Sequence, residues 1–133
     1  NPTILDAENL IEVSTLLSLG AWVDHVEATF WTPQAGDVVY LDPPYLAVSK
    51  TSNFRSYLAS GWTEQNADDL AAKVALWAEA GVRVLISDAD TPGTRARWGR
   101  WLIQGLQARR GINSKASGRG PVGEILVDTQ GTT

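Results

Sequence analysis

The sequence contains no cysteine, no methionine and only one histidine, His25. Without cysteine the chain forms no disulfide and offers no thiolate to a metal ion, which is typical of a reducing compartment, so we expect a cytoplasmic protein. No apolar run approaches the ~18 residues that a membrane-spanning helix needs, and we expect no contact with a membrane. One histidine among scattered carboxylates is a poor ligand set for a transition metal, so we predict no metal site.

The length of 133 residues limits the chain to one domain, which we assign to residues 1–133. The chain begins at Asn1 and lacks methionine altogether. We therefore expect it to be a piece of a longer protein.

Acidic residues are missing from residues 91–123. Residues 1–90 carry thirteen acids and four bases, whereas residues 91–123 carry seven bases and no acid. A basic block inside an acidic protein favours a surface that faces a polyanion such as DNA. The alternative is a solvated helix face followed by a basic loop.

The spacing of apolar residues predicts alternating helices and strands. We expect helices over 7–19, 63–80 and 94–106, strands over 21–28, 38–41 and 82–87, an antiparallel pair of strands within 107–127, and loops over 32–36 and 46–62. The strand, loop, helix and strand of residues 38–87 form one crossover unit, which is expected to be right-handed with parallel strands. The sequence therefore predicts an α/β fold.

The tetrapeptide Asp42-Pro43-Pro44-Tyr45 directly follows the predicted buried strand 38–41. Ligands of open α/β sheets bind beyond the carboxyl ends of the strands, where Ser87 and Asp88 also end a strand. A carboxylate in such a place needs a hydrogen-bond donor, which the amino group of a flat base can supply. The simpler alternative is a common way for a chain to leave a strand, with a tyrosine that only packs.

The same residues suit methyl transfer to an amino group. The Asp42 carboxylate and the Pro43 carbonyl can accept both N–H groups of an aromatic amine, which frees its lone pair for attack. The prolines fix the backbone and remove backbone donors that would otherwise occupy these acceptors. Tyr45 offers a ring on which a base can stack, worth ~1–3 kcal/mol. A base inside a duplex has to flip out to reach such a pocket.

Several segments in order resemble the Dam-like DNA adenine-N6 methyltransferase family, in its C-terminal half. They are Gly36–Leu41 with the tetrapeptide, Ser49–Phe54 with Tyr57, Val84–Asp88, Asp90 and Thr91 with Arg95, Arg110–Ser114, and Arg119 with Val122, Glu124 and Leu126. The resemblance implies a partial Rossmann-like methyltransferase domain, with a mostly parallel sheet and a C-terminal antiparallel hairpin. It also implies S-adenosylmethionine as methyl donor and double-stranded DNA as partner, in a setting such as restriction-modification.

The resemblance assigns roles to particular residues. Asp42, Pro43, Pro44 and Tyr45 are expected to be catalytic, and Phe30 and Asp42 to contact the cofactor. The residues expected to contact DNA are Ser49, Lys50, Asn53, Arg55, Arg95, Arg110, Lys115 and Arg119.

One part of the family pattern is missing. No Phe-x-Gly or Gly-x-Gly loop for the cofactor precedes the catalytic strand. We therefore expect a fragment that lacks the N-terminal cofactor-binding strands, with a missing segment or a partner chain supplying them, or a chain that has lost the activity. A non-catalytic DNA-binding or structural remnant remains an alternative, as does a methyltransferase for RNA adenine, cytosine N4 or a glutamine amide.

Overall fold

The computed structural model describes residues 5–46, 62–109 and 121–131. In chain order the elements are α1 (Ala7–Ser18), a short 3-10 helix (Ala28–Phe30), β1 (Val38–Leu41), α2 (Glu64–Glu79), β2 (Arg83–Ala89), α3 (Pro92–Trp98), β3 (Leu102–Arg109) and β4 (Pro121–Asp128). The α/β class is therefore confirmed. Within this part of the chain, no helix combines the length and the apolar character needed to cross a membrane.

The strands form one mixed sheet in the order β1-β2-β4-β3. β1 and β2 are parallel, as the crossover unit predicted, whereas β2 with β4 and β3 with β4 are antiparallel. The C-terminal antiparallel hairpin is thus confirmed. The expectation of a mostly parallel sheet is not, since only one of the three pairs among the described strands is parallel.

Helix α2 packs against one face of the sheet, and the core lies between them. It begins where the Thr63 side chain accepts from the backbone of Asn66 and the Asn66 side chain accepts from that of Thr63, a reciprocal cap that satisfies two free donors. Its inward side chains Leu70, Val74 and Trp77 are buried with the strand residues Val84, Ile86, Ile125 and Val127. Gly81, at a φ of 88°, then turns the chain into β2. This packing fixes the two parallel strands whose carboxyl ends carry the site.

Helix α1 and the opposite face of β1 are exposed. Val38 and Tyr40 on β1 are 64% and 61% exposed. α1 is capped by Asp6, whose side chain accepts from the backbone of Asn9, but none of its residues is buried. The helix predicted over 7–19 is confirmed, although it does not contribute to the core.

Two predicted elements are wrong. Residues 21–28 were expected to be a strand, but they have no strand neighbour and lead into the 3-10 helix. An unpaired strand leaves its backbone groups without partners, so apolar composition alone does not make one. The helix expected over 94–106 begins at Pro92 after the Thr91 cap and ends at Trp98. From Leu102 the chain pairs with β4 instead, because these residues gain a full ladder of hydrogen bonds there.

Candidate active site

Asp42 lies immediately beyond β1, opposite Ser87 of β2, because the parallel register pairs Leu41 with Ile86. The Ser87 hydroxyl donates to Oδ1 of Asp42 over 2.7 Å. It accepts from the hydroxyl of Tyr40 over 3.0 Å. The carboxyl ends of the two parallel strands therefore meet around the Asp42 carboxylate, at the edge where open α/β sheets bind ligands.

A cleft of about 300 Å³ opens beside Asp42. Three groups of residues form it: the end of β1 with the first three residues of the tetrapeptide, the segment before the 3-10 helix, and the first turns of α2. The lining residues are Glu27, Ala28, Thr29, Tyr40, Leu41, Asp42, Pro43, Pro44, Trp62, Asn66, Asp69 and Leu70. This volume lies at the lower end of the ~300–1,000 Å³ typical of ligand pockets, and a single base is of the right order.

The cleft is acidic. Glu27, Asp42 and Asp69 all line it, while no lysine or arginine does so among the described residues. A negative lining attracts a cation and repels a phosphate. Neither here nor elsewhere in residues 5–46, 62–109 and 121–131 do three or more His, Asp or Glu side chains gather in a way that could hold a metal ion.

Tyr45 is the residue of the tetrapeptide that does not line the cleft, although it shares Ser87 as a hydrogen-bond partner with Asp42. Burial raises the pKa of its phenol above the ordinary value of 10.0, and the negative charge of Glu124 raises it further, as do Asp42 and Asp88, against the effect of a hydrogen bond with Ser87. The phenol is therefore protonated at neutral pH.

Asp88 is a buried carboxylate with its own partners. It is 6% exposed. One oxygen accepts from the backbone N–H of Ala89 over 2.8 Å, and the other from Nε1 of Trp98 over 3.0 Å. Burial raises the pKa of Asp88 above its ordinary value of 3.8, while both hydrogen bonds and the positive charge of Arg97 lower it. Asp88 therefore lies on the core side of the strand end, whereas Asp42 borders the cleft.

Phe30, which the sequence led us to expect at the cofactor, lies in the 3-10 helix and is 75% exposed. It does not line the cleft, although its neighbour Thr29 does. Asp42, the other residue expected at the cofactor, borders the cleft directly.

Arg95 is the one residue expected to contact DNA that the structure describes. It lies on α3, and its guanidinium is paired with the Asp90 carboxylate, Nε with Oδ1 over 2.5 Å and Nη2 with Oδ2 over 3.0 Å. The other expected DNA contacts lie outside the described residues: Ser49, Lys50, Asn53, Arg55, Arg110, Lys115 and Arg119.

Sequence reasoning missed several residues that meet at this site. Tyr40 could have been found, since it stands two residues before Asp42 and alternate strand residues share a face. Ser87 was placed at the correct edge but received no role. The contributions of Asn66 and Asp69 to the cleft depend on where α2 packs against the strand end, and no local sequence signal carries that information.

The fold and the site define a class of protein: an α/β domain whose cleft, at the carboxyl end of a strand, carries a carboxylate and two prolines. Residues 3–109 match the family model described as D12 class N6 adenine-specific DNA methyltransferase. The match covers most of the chain, so the chain belongs to this family.

Individual relatives agree with the family assignment. A DNA adenine methylase of Vibrio cholerae serotype O1 is 41% identical over 102 residues, which are 74% of this chain and 36% of the relative. The type II methyltransferase M1.LlaDCHI of Lactococcus lactis subsp. cremoris is 31% identical over 134 residues, 98% of this chain and 47% of the relative. A DNA adenine methylase of Serratia marcescens is 36% identical over 107 residues, 78% and 39% respectively. The chain thus spans less than half the length of these curated relatives.

Proposed function

We propose that this chain is the acceptor side of a site-specific DNA adenine-N6 methyltransferase, which transfers a methyl group from S-adenosylmethionine to a flipped adenine. The observation that carries the proposal is the position of Asp42 and Pro43 at the edge of a base-sized cleft. Membership of an N6 adenine-specific family supports the same reaction.

In the proposed mechanism, Asp42 and the carbonyl of Pro43 each accept one N–H of the adenine amino group. When both hydrogens are held, the nitrogen lone pair is no longer delocalised into the ring and points toward the methyl donor. The nitrogen then attacks the methyl group. The proton that the nitrogen loses moves to the carboxylate oxygen of Asp42 that is free of other partners. Tyr45 stacks on the base, which replaces the stacking lost when the adenine leaves the duplex.

The chemistry of the lining fits S-adenosylmethionine, a cation that would gain from the carboxylates of Glu27, Asp42 and Asp69. When bound, the cofactor supplies a methyl group on positively charged sulfur, so that a nitrogen–carbon bond forms as the sulfur–carbon bond breaks and the sulfur leaves as a neutral thioether. We propose Asp42 and Phe30 as cofactor contacts of this chain. A further segment of the parent protein, or a partner chain, would provide the remaining contacts.

Double-stranded DNA is the proposed partner, held by basic and polar residues of this chain. Of these, Arg95 is the one that the structure describes, and the others are Ser49, Lys50, Asn53, Arg55, Arg110, Lys115 and Arg119. An acidic cleft repels phosphates, so contacts to the backbone have to come from positions outside it. The cytoplasmic location expected from the composition remains a prediction.

The proposal is tested by methyl transfer in the full-length parent protein. Unmethylated bacterial genomic DNA is a suitable substrate, because it contains every short recognition sequence. With radiolabelled S-adenosylmethionine, we expect N6-methyladenine as product and a loss of activity of at least about 100-fold in Asp42→Ala, since a main acceptor of the amino group is gone.

Exposed Asp24→Ala is the matched control, because within the described residues the Asp24 carboxylate accepts a hydrogen bond from the backbone N–H of His25 and from no other group. It should retain wild-type activity. Full activity of Asp42→Ala would refute the mechanism, and N4-methylcytosine as the product would shift the assignment to another amino acceptor.

A further inference from the structure

We propose that Ser87 is a positioning residue for this reaction: it holds Oδ1 of Asp42, so that Oδ2 is the carboxylate oxygen left to accept the amino group and its proton. The inference rests on the proposed function. It concerns a residue in β2, on a strand separate from the tetrapeptide, that touches neither the adenine nor the methyl donor in the mechanism above.

The hydroxyl of Ser87 also hydrogen-bonds the phenol of Tyr45, so distance and charge together decide which of its acceptors takes the proton. Oδ1 of Asp42 lies 2.7 Å from the serine oxygen, while the carbonyl oxygen of Leu41 lies 3.4 Å away. A hydrogen bond to a charged acceptor is also about twice as strong as one to a neutral acceptor. The single proton of Ser87 therefore belongs to Asp42, and the longer contact is secondary.

Tyr40 fixes the direction of this hydrogen bond. Its hydroxyl donates to the oxygen of Ser87 over 3.0 Å, so the serine accepts from Tyr40 and donates to Asp42. Hydrogen bonds in such a chain polarise one another, which makes the serine a better donor. Tyr40 is 61% exposed, so its hydroxyl is not required to satisfy a buried group and its role can be tested without opening the core.

An exposed carboxylate at a strand end needs this restraint. Asp42 is exposed, and within the described residues Ser87 is the one side chain that hydrogen-bonds its carboxylate. Without a partner the carboxylate rotates and presents either oxygen in many orientations. Catalysis by proximity requires one orientation, and a displacement of 1 Å costs about 100-fold in rate. Ser87 supplies the restraint and keeps its own proton throughout.

The test compares the full-length parent with its Ser87→Ala, Ser87→Thr and Tyr40→Phe variants, on unmethylated genomic DNA. Ser87→Ala should lower kcat by about 10- to 100-fold, with little change in KM for DNA, because orientation and not binding is lost. Ser87→Thr keeps the hydroxyl and should recover most of the activity. Tyr40→Phe should lower kcat by a smaller factor, because the serine still donates.

Ser18→Ala is the matched control. It also removes a serine hydroxyl, but one that donates to the backbone of Thr15 within α1. We expect wild-type kcat and KM for this variant. Equal losses in Ser87→Ala and Ser87→Thr, or a Ser87→Ala enzyme within about twofold of wild type, would overturn the proposal.

A second readout separates this inference from the proposed function. In this chain with a ¹³C label in the carboxyl group of Asp42, Ser87→Ala should shift the carboxyl NMR signal and Ser87→Thr should not. An inactive wild-type parent would sink the proposed function while this signal still reports on the hydrogen bond. A signal that is unchanged in Ser87→Ala would show that Ser87 does not hold the carboxylate, whatever the activity.

Discussion

At the scale of single residues, the ends of β1 and β2 carry two aspartates in contrasting environments. Asp42 is exposed at a cleft and is held by the hydroxyl of Ser87. Asp88 is buried, with Trp98 and the backbone of Ala89 as partners. Because a carboxylate is costly to bury, the native state favours the protonated form of Asp88 more than an unfolded chain does. The two acids therefore differ: Asp42 borders the cleft, whereas ionisation of the buried Asp88 lowers the stability of the native state.

This difference predicts a pH dependence for Asp88→Asn. The pKa of Asp88 in the folded state is raised above 3.8. Just above pH 3.8 the folded state therefore binds more protons than the unfolded state. The contribution of Asp88 to wild-type stability consequently falls as the pH rises. Asparagine does not ionise, so the stability of the variant relative to wild type should increase between about pH 4 and pH 7.

Urea unfolding of both proteins at several pH values measures this difference. A difference in unfolding free energy that stays constant with pH would show that Asp88 is not the responsible group. Glu79→Gln, at an exposed carboxylate on α2 with only a loose contact of 3.6 Å to Arg100, is the control.

At the scale of elements, α2 determines where the cleft is. Its buried side chains hold it against the parallel strands, and its first turns bring Asn66 and Asp69 to the cleft. Arg97 of α3 adds a second anchor, since its guanidinium pairs with the carboxylates of Glu64 and Asp68 near the start of α2. The position of the cleft therefore depends on packing on both sides of this helix.

We predict contrasting effects for two leucines of α2. Leu70 is 3% exposed and Leu76 is 61% exposed. Leu70→Ala should lower the free energy of unfolding by about 2–5 kcal/mol, because it leaves a cavity in the core. Leu76→Ala, with the same change in side chain on the same helix, should stay within about 0.5 kcal/mol of wild type. Chemical denaturation measures both, and equal losses would mean that α2 does not pack as described.

At the scale of the whole molecule, the basic block of the sequence is not a uniform cationic surface. Arg95 is paired with Asp90 and Arg97 with two carboxylates of α2, and Arg100 lies 3.6 Å from Glu79. These acids come from the part of the sequence before residue 91. Charges that lie far apart in the sequence are thus close together in the fold. The net charge of residues 91–123 therefore overstates the attraction of these three arginines for DNA.

This chain covers less than half the length of its relatives, and this leads to a prediction about cofactor binding. Its cleft is base-sized, and the sequence has no glycine-rich cofactor loop before the catalytic strand. We expect calorimetry with S-adenosylmethionine to detect weak binding or none for this chain alone, and clear binding for the full-length parent. Micromolar binding by this chain alone would contradict the division into acceptor and donor sides.

Much of the local structure was predictable because it depends on neighbours in sequence. The capped start of α2 at Thr63, the strand 38–41 and the tetrapeptide directly after it all follow from local propensity and periodicity. The predictions of a strand over 21–28 and of a helix that continues over 99–106 were wrong for the same reason. The apolar residues of these segments suit either a helix or a strand, and the presence or absence of a pairing strand elsewhere in the chain decides between them.

The sequence by itself determined the family of this chain and the position of its candidate carboxylate, because the order of segments and the tetrapeptide after strand 38–41 are both local features of the sequence. Only the tertiary structure decided which groups act with that carboxylate. Ser87 lies 45 residues from Asp42 along the chain, and the parallel pairing of β1 with β2 brings its hydroxyl within 2.7 Å. Contacts between strands depend on register and packing, which are properties of the whole fold.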